Sequence, residues 1–536
     1  MTGAVYYRQV LGLAAMRPSK PCQIVRIAVL HQIALPKMSS PAQAIVLHRP
    51  LPQRLLGVVL GCALLLSGAA TVAAQAAEPQ PSYINGLRGQ ANGAITGVVD
   101  LSRAWRRALE YDHNYQAAIS EQAAAQTEEA MGRAGLLPQI QAGYSRSQVK
   151  GDAVSFNALG QSNSSELSYT STNAYIQLQQ PIVNFGRYAG YQRGIALANE
   201  GTAIFAARRQ ATALRLTEVY LNVLLAHDNL GLQRSLVEVL EARATALEAH
   251  LKQFEGTVTA VQETQARLAV ARADMIDAAD QLQVAERELA AMLGGPVARL
   301  SALQAEHFPL TGLQPAGLAQ WLELARTNNA EVRAARQAVA VAETEVDQAT
   351  SRYLPTLDLI VSVSKADSEN LSTLSQRSNT FMAGLQANIP IFTGGYNTAN
   401  VSRTRADQKR LQHELTATLE RTQAEVMRQY TNVLGGAERI RAFEAAVESG
   451  QQALHATEQS FRAGVLSNLD VLRAQDTLYR ARFDLVRARL EYLLARLSLA
   501  SAAGTLDDAG FDSISQTYLG RVITLQEKQE PSNGPR

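Results

Sequence analysis

The sequence predicts a mainly α-helical chain with membrane-inserting strands, built as two tandem units of helix, two strands, long helix and second helix. Three observations lead there. The chain is self-similar at a shift of 217 residues, four segments alternate apolar and polar side chains at equivalent points of the two copies, and the stretches between them carry helical periodicity over lengths that no globular core requires. Composition agrees. Aromatic residues make up 6% of the 536, and Ala, Leu, Gln, Glu and Arg fill the long stretches, a mixture suited to extended helices. The formal charge is +2, with basic and acidic residues interspersed, so no basic block invites nucleic acid.

At the amino-terminal end, Arg49 and Arg54 precede an apolar run from Leu55 to Leu66 and small residues ending at Ala74-Gln75-Ala76. This pattern predicts a signal peptide over 38–76, cleaved near Ala76. Met38 is the more conventional start, so residues 1–37 are expected to be an untranslated extension. The apolar run is too short to span a bilayer, and no later stretch offers eighteen consecutive apolar residues, which leaves membrane insertion to strands. Cys22 and Cys62 both precede the cleavage point, so the exported chain is expected to hold no disulfide. The run continues past Cys62, the wrong order for lipoprotein processing.

A segment over 77–99 leads into the first unit, 100–310; a linker at 311–316 leads to the second, 317–505; and 506–536 forms a tail. The shift superposes Leu101 on Leu318, Ala108 on Ala325, Glu128 on Glu345 and Leu137-Pro138 on Leu354-Pro355, while Pro181-Ile182 matches Pro390-Ile391 and Gly186 matches Gly395. Each unit opens with a helix, the first from about Leu101 to Leu136, that stops before its proline. Then alternation begins. Ile140, Ala142 and Tyr144 oppose Gln139, Gln141 and Gly143; Ala174, Ile176 and Leu178 oppose Tyr175, Gln177 and Gln179. In the second unit Leu357, Leu359, Val361 and Val363 form one face, as do Phe381, Ala383, Leu385, Ala387 and Ile389. The polar segments between them, Lys150 to Ser168 and Lys365 to Ser378, predict exposed loops. The stretches Gly186–Phe254 and Gly395–Phe461 then predict helices ~100 Å long. Heptads follow: Val261, Leu268, Met275, Leu282 and Leu289 with Ala271, Ala278 and Ala285 beside them, and in the second unit pairs at seven-residue steps from Leu469 and Leu472 to Leu497 and Ala500.

These pieces resemble the TolC family of outer-membrane export ducts over nearly the whole of Leu101 to Leu506. The strongest likenesses are the Leu-Pro pairs, the strand-to-helix passages Gln180-Pro-Ile-Val-Asn-Phe-Gly186 and Ile389-Pro-Ile-Phe-Thr-Gly-Gly395, and the run Phe461-Arg-Ala-Gly-Val-Leu-Ser-Asn-Leu-Asp-Val-Leu472. The resemblance implies a homotrimer in which four strands per chain join one 12-stranded barrel in outer-membrane lipid, continued by a periplasmic α-helical barrel. Closure fits the strands independently, since an open sheet edge cannot face lipid and four strands cannot enclose a pore. Pro138, Pro181, Pro355, Pro390, Gly186 and Gly395 are expected at the strand-helix junctions. Gly256 and Gly464 are expected in the turns at the helical tips.

By the same resemblance, Asp470 occupies the position of an acidic ring that favours cations; read as a residue alone, it is equally a helix-capping carboxylate. The sequence departs from the family at the remaining constriction positions: Arg473 replaces a second acid, Phe461 a tyrosine, Leu466 an arginine and Gln262 an aspartate, with Glu263 beside it. Implied partners are a periplasmic adaptor and an inner-membrane ABC or proton-driven transporter, and the cargo is either secreted protein or small toxic compounds. No enzyme motif occurs: His413-Glu414 lacks a second zinc-ligating histidine, and neither Gly-x-Ser-x-Gly nor a phosphate loop is present, so no cofactor or metal is expected. The competing reading is a periplasmic coiled-coil adaptor or structural protein, which would share the heptads but have no use for two pairs of alternating strands.

Overall fold

The computed structural model describes residues 95–156, 159–254, 256–304, 308–368 and 376–525, so the expected signal peptide, its cleavage point and both cysteines lie outside the described residues. The elements run β1 (Ile95–Val99), α1 (Leu101–Tyr111), α2 (His113–Ala134), β2 (Gln139–Phe156), β3 (Ser162–Val183), α3 (Phe185–Lys252), α4 (Val258–Leu293) and β4 (Val297–Leu303). They continue with α5 (Leu318–Asn328), α6 (Ala330–Ser351), β5 (Thr356–Ser368), β6 (Gln376–Asn388), α7 (Tyr396–Arg462), α8 (Asn468–Ala502), α9 (Asp508–Tyr518) and β7 (Leu519–Thr524). The order of two short helices, a hairpin, a long helix and a second helix thus occurs twice. Among the described residues no helix is long and apolar enough to cross a membrane.

β2, β3, β5 and β6 form one antiparallel sheet in that order. Its register carries the main result. Ile140 pairs with Leu178, Leu178 with Val361 and Val361 with Ala383; one step on, Ala142, Ile176, Val363 and Phe381 align in the same way. Because side chains alternate along a strand, four separate apolar alternations become one continuous face. The opposite face aligns Gln141 with Gln177, Ser362 and Met382. Among the described residues nothing covers the apolar face: Ile140, Val363, Phe381 and Leu385 are 54–65% exposed. The strands reach further than expected. The 150–168 segment is not a loop, since β2 and β3 stay paired to Phe156↔Ser162, and β5 extends to Ser368 with β6 beginning at Gln376. Ser, Thr and Asn are accepted in such a ladder because its hydrogen bonds come from the backbone.

α3 packs against α2 and α6 at its strand end and against α4 and α8 at its far end, and α7 packs likewise on α6 and α8. The pairing of α2 with α3 is unusually close: a Cβ on Gly194 would lie 2.5 Å from the Glu128 carbonyl oxygen, and one on Gly201 2.3 Å from Ala125 Cβ. Glycine at these positions lets the two backbones approach. On α4 the predicted stripe is buried, from Val261 through Leu268, Ala271, Ala278, Leu282 and Ala285 to Leu289. On α8 the buried seam instead runs from Asn468 through Val471, Leu472, Gln475 and Leu478, leaving Leu469 exposed.

The single helix expected over Leu101–Leu136 is broken at Asp112. This buried carboxylate accepts from the Asn114 N–H at 3.1 Å, capping α2, and pairs with Arg215 of α3. A second sheet was not foreseen. β4 runs parallel to β1 and antiparallel to β7, so the segment before residue 100, the Gly294–Gly317 connection and the tail each contribute a strand. The principal core includes it, with Leu101, Trp105, Leu216, Tyr220, Leu289, Leu493 and Phe511 in one buried cluster with Leu300. Trp105 stacks on Phe511 at 5.2 Å and donates its ring N–H to Asp508 at 2.7 Å, fixing α9 against α1.

Candidate functional site

Two places carry the expected site residues: the junctions where strands meet helices, and the tips where the long helices turn. At the junctions Pro138 and Pro355 immediately precede β2 and β5, as residues that cannot donate to a ladder should. Pro181 lies inside β3, where the pairing with β5 shifts register before Val183. Pro390 follows β6. Gly186 sits in the first turn of α3, whose cap is Asn184, accepting from the Arg187 N–H at 3.0 Å. Gly395 is itself the cap of α7, in left-handed geometry with φ +85°.

The tips lie between α3 and α4 and between α7 and α8. Gly464 supplies the left-handed residue of the second turn, with φ +74°. In the first turn that conformation belongs to Phe254, with φ 63°, not to Gly256. The Phe254 ring is 97% exposed, and Val258, Val465, Leu466 and Leu469 are exposed beside the same turns, so the tips present apolar side chains to their surroundings.

Asp470 forms a capping box. Its carboxylate accepts from the Ser467 hydroxyl at 2.7 Å and the Ser467 N–H at 3.0 Å, while its own N–H donates to Ser467 Oγ at 3.3 Å. The Ser467 hydroxyl, then the Ser467 N–H, and finally the charge of Arg473 hold the Asp470 carboxyl below the usual carboxylate range. The capping reading of Asp470 is therefore realised within one chain. Gln262 is exposed.

The residue that joins the two tips is one the sequence reading passed over. Asn468 is buried at the start of α8. Its amide donates to Thr264 Oγ1 at 3.0 Å and to the Ala260 carbonyl at 3.2 Å on α4, with Glu263 at 3.5 Å, and its carbonyl accepts from Arg243 Nε of α3 at 2.9 Å. The Arg243 guanidinium lies over the Phe461 ring of α7 at 5.0 Å. All four helices of the tips thus meet at one polar node. Burial lowers the Arg243 pKa, opposed by Glu458. An Arg267–Asp476 ion pair adds a second link between α4 and α8, and Arg480 reaches Asp476 at 3.0 Å. The available signal was a polar residue at two seam positions one heptad apart, Asn468 and Gln475, both buried. Phe461 and Glu263 border this node; Leu466 is exposed at the turn before it, and among the described residues no hydrogen bond or ion pair brings Gln262 or Asp470 into it.

Among the described residues no group of His, Cys, Asp and Glu is arranged to hold a metal ion. The alkaline protease secretion protein AprF of Pseudomonas aeruginosa is 33% identical over 79% of this chain and 88% of its own length. The proteases secretion protein PrtF of Dickeya chrysanthemi is 32% identical over 78% and 90%, and the outer membrane protein TolC of Vibrio cholerae 26% over 80% and 95%. Among solved structures, the Campylobacter jejuni CmeC outer membrane channel superposes with a TM-score of 0.64 at 15% identity, covering 78% of this chain and 89% of that one. The Vibrio cholerae outer membrane protein VceC gives 0.63 at 19% identity, covering 75% and 96%. Residues 104–295 and 321–505 match the family described as outer membrane efflux protein, and the chain belongs to that family.

Proposed function

We propose that three copies of this chain form an exit duct for protein, the outer-membrane member of a type I secretion system completed by a periplasmic adaptor and an inner-membrane ABC transporter. The observation that carries this reading is the sheet register, which among the described residues gathers the apolar alternations on one uncovered face and leaves β2 and β6 as unpaired edges. In lipid such edges must be closed, and four strands from each of three copies make a 12-stranded cylinder wide enough to pass material. The repeated element order supports a duplicated unit that supplies two staves per half. The node at Asn468 would hold the two hairpins of each copy together at the inner end, and Asp470 and Glu263 would bring negative charge to the opening.

Protein cargo is favoured because the relatives named for protease secretion are 32–33% identical to this chain, against 24–26% for the TolC proteins and BepC. A proton-driven pump exporting small toxic compounds is the second reading, favoured by the likeness to the cation efflux protein CusC, 24% identical over 50% of this chain. Expression in a Pseudomonas aeruginosa strain lacking AprF separates them. Restored appearance of alkaline protease outside the cell is the expected result. A correctly inserted chain that restores resistance to small compounds in an efflux-deficient strain but leaves the protease inside would refute the protein-secretion assignment.

A further inference from the structure

Where the sheet gives way to helices, a cavity of about 390 Å³ opens between the end of α2, the start of α3 and the end of α6. Its walls are made by Gly132, Gly135, Gly186 and Gly190, and its charged lining is Arg187 and Arg352, with no aspartate or glutamate. Arg187 is oriented by one bond, Nη1 donating to the Gly135 carbonyl at 2.9 Å, and Arg352 by one, Nη1 donating to the Tyr396 hydroxyl at 3.2 Å. A guanidinium has five N–H donors, so most of both remain for another acceptor. Among the described residues neither arginine has a carboxylate partner. Arg193, farther along the same helix, is paired with Glu345 at 2.9 Å, so a carboxylate partner is available to an arginine of α3 outside the cavity.

The surroundings specify the anion. Ile182, Phe185, Tyr188 and Tyr353 are exposed around this level of the protein, apolar and aromatic side chains of the kind that settle at a membrane-water boundary. With the strands in the outer membrane and the helices in the periplasm, the cavity stands at the headgroup layer of the periplasm-facing leaflet. We propose that it binds the phosphodiester of a glycerophospholipid, Arg187 and Arg352 forming charge-assisted hydrogen bonds to the phosphate oxygens and the exposed apolar residues lying along the acyl chains. This rests on the four strands spanning the membrane.

The test is native mass spectrometry of the full chain extracted from outer membranes, with phosphatidylglycerol or inorganic phosphate added to delipidated protein. The R187Q/R352Q double variant is expected to retain about tenfold less phosphatidylglycerol than the wild type, the loss of two charge-assisted bonds. R352Q alone, an exposed substitution that gives up one bond to Tyr396, is expected to fall between them, and R133Q, at the same level but outside the cavity, to match the wild type. Heat-modifiable migration reports membrane-type sheet separately, so a failure of lipid retention in protein that keeps this behaviour counts against the site and not against the strands. Equal retention by the wild type and R352Q would overturn the proposal. So would saturable binding of inorganic phosphate without retained lipid, which would assign the arginines to a soluble phosphoester.

Discussion

The two sheets of this chain solve the same backbone problem in opposite surroundings. In the three-stranded sheet Leu300 pairs with Val99 and Ile523, and all three are buried beneath helices from both halves of the chain. In the four-stranded sheet Val361 pairs with Leu178 and Ala383 in rows that, among the described residues, no other element covers. The first sheet carries its core within the protein; in the proposed barrel, lipid would serve the second as one. An exposed apolar face is ordinarily a liability, and here its confinement to one side of one sheet is what supports the proposal that it meets lipid.

The comparison is broken most severely by a charge in the small sheet. Leu300→Asp places a carboxylate in a fully buried site without a partner and should cost more than about 4 kcal/mol, abolishing assembly in detergent and lipid alike, as read by circular dichroism and protease resistance. The same kind of change in the large sheet should depend on the solvent. Val361→Arg is expected to cost about 2–4 kcal/mol on folding into bilayers, whereas Ser362→Arg, one residue along and on the opposite face, should be nearly neutral. Equal penalties for the two would remove the assignment of faces.

At the tips, Asn468→Ala should leave Arg243 and Thr264 with unmet hydrogen-bonding groups and cost about 1–3 kcal/mol. The loss should show as faster amide exchange over 258–268 with the sheets unaffected. The smallest effect concerns Tyr220, whose hydroxyl donates to the Ser301 carbonyl at 2.6 Å and ties α3 to β4. Burial, then the charge of Asp100, raise its pKa well above 10.0. With the folded value above the unfolded one, the neutral hydroxyl contributes its full stability below pH 10.0, and that contribution is lost as the pH rises toward the folded value. Tyr220→Phe should therefore cost about 1 kcal/mol at neutral pH and flatten the alkaline part of the stability profile above pH 10, followed by urea unfolding.

The large sheet was legible because its strands alternate over many residues and lie close in sequence, so Ile140, Ile176, Val363 and Phe381 announce their face before any pairing is known. The stripe on α4 was legible for the same reason of period. The small sheet was not. Its strands have five to seven residues, and β1 and β4 begin about two hundred residues apart, joined in parallel, so no local pattern signals their pairing. The break at Asp112 was missed because the apolar pattern continues through it, although an aspartate followed by Asn114 is a capping signal. At the tips, resemblance drew attention to Asp470, whose capping role is local, and away from Asn468, whose importance depends on which helices converge there. Arg187 and Arg352 stand 165 positions apart and share a cavity only through the packing of α3 on α6.

Closure of the large sheet between copies can be tested by oxidising paired cysteines along its two free edges. Single cysteines at positions 141, 143 and 145 of β2 would be combined in turn with 380, 382 and 384 of β6. At least one combination should convert the outer-membrane protein into disulfide-linked dimers and trimers that retain heat-modifiable sheet. Monomers alone across every combination, in protein that inserts and keeps that sheet, would contradict a barrel shared among three chains.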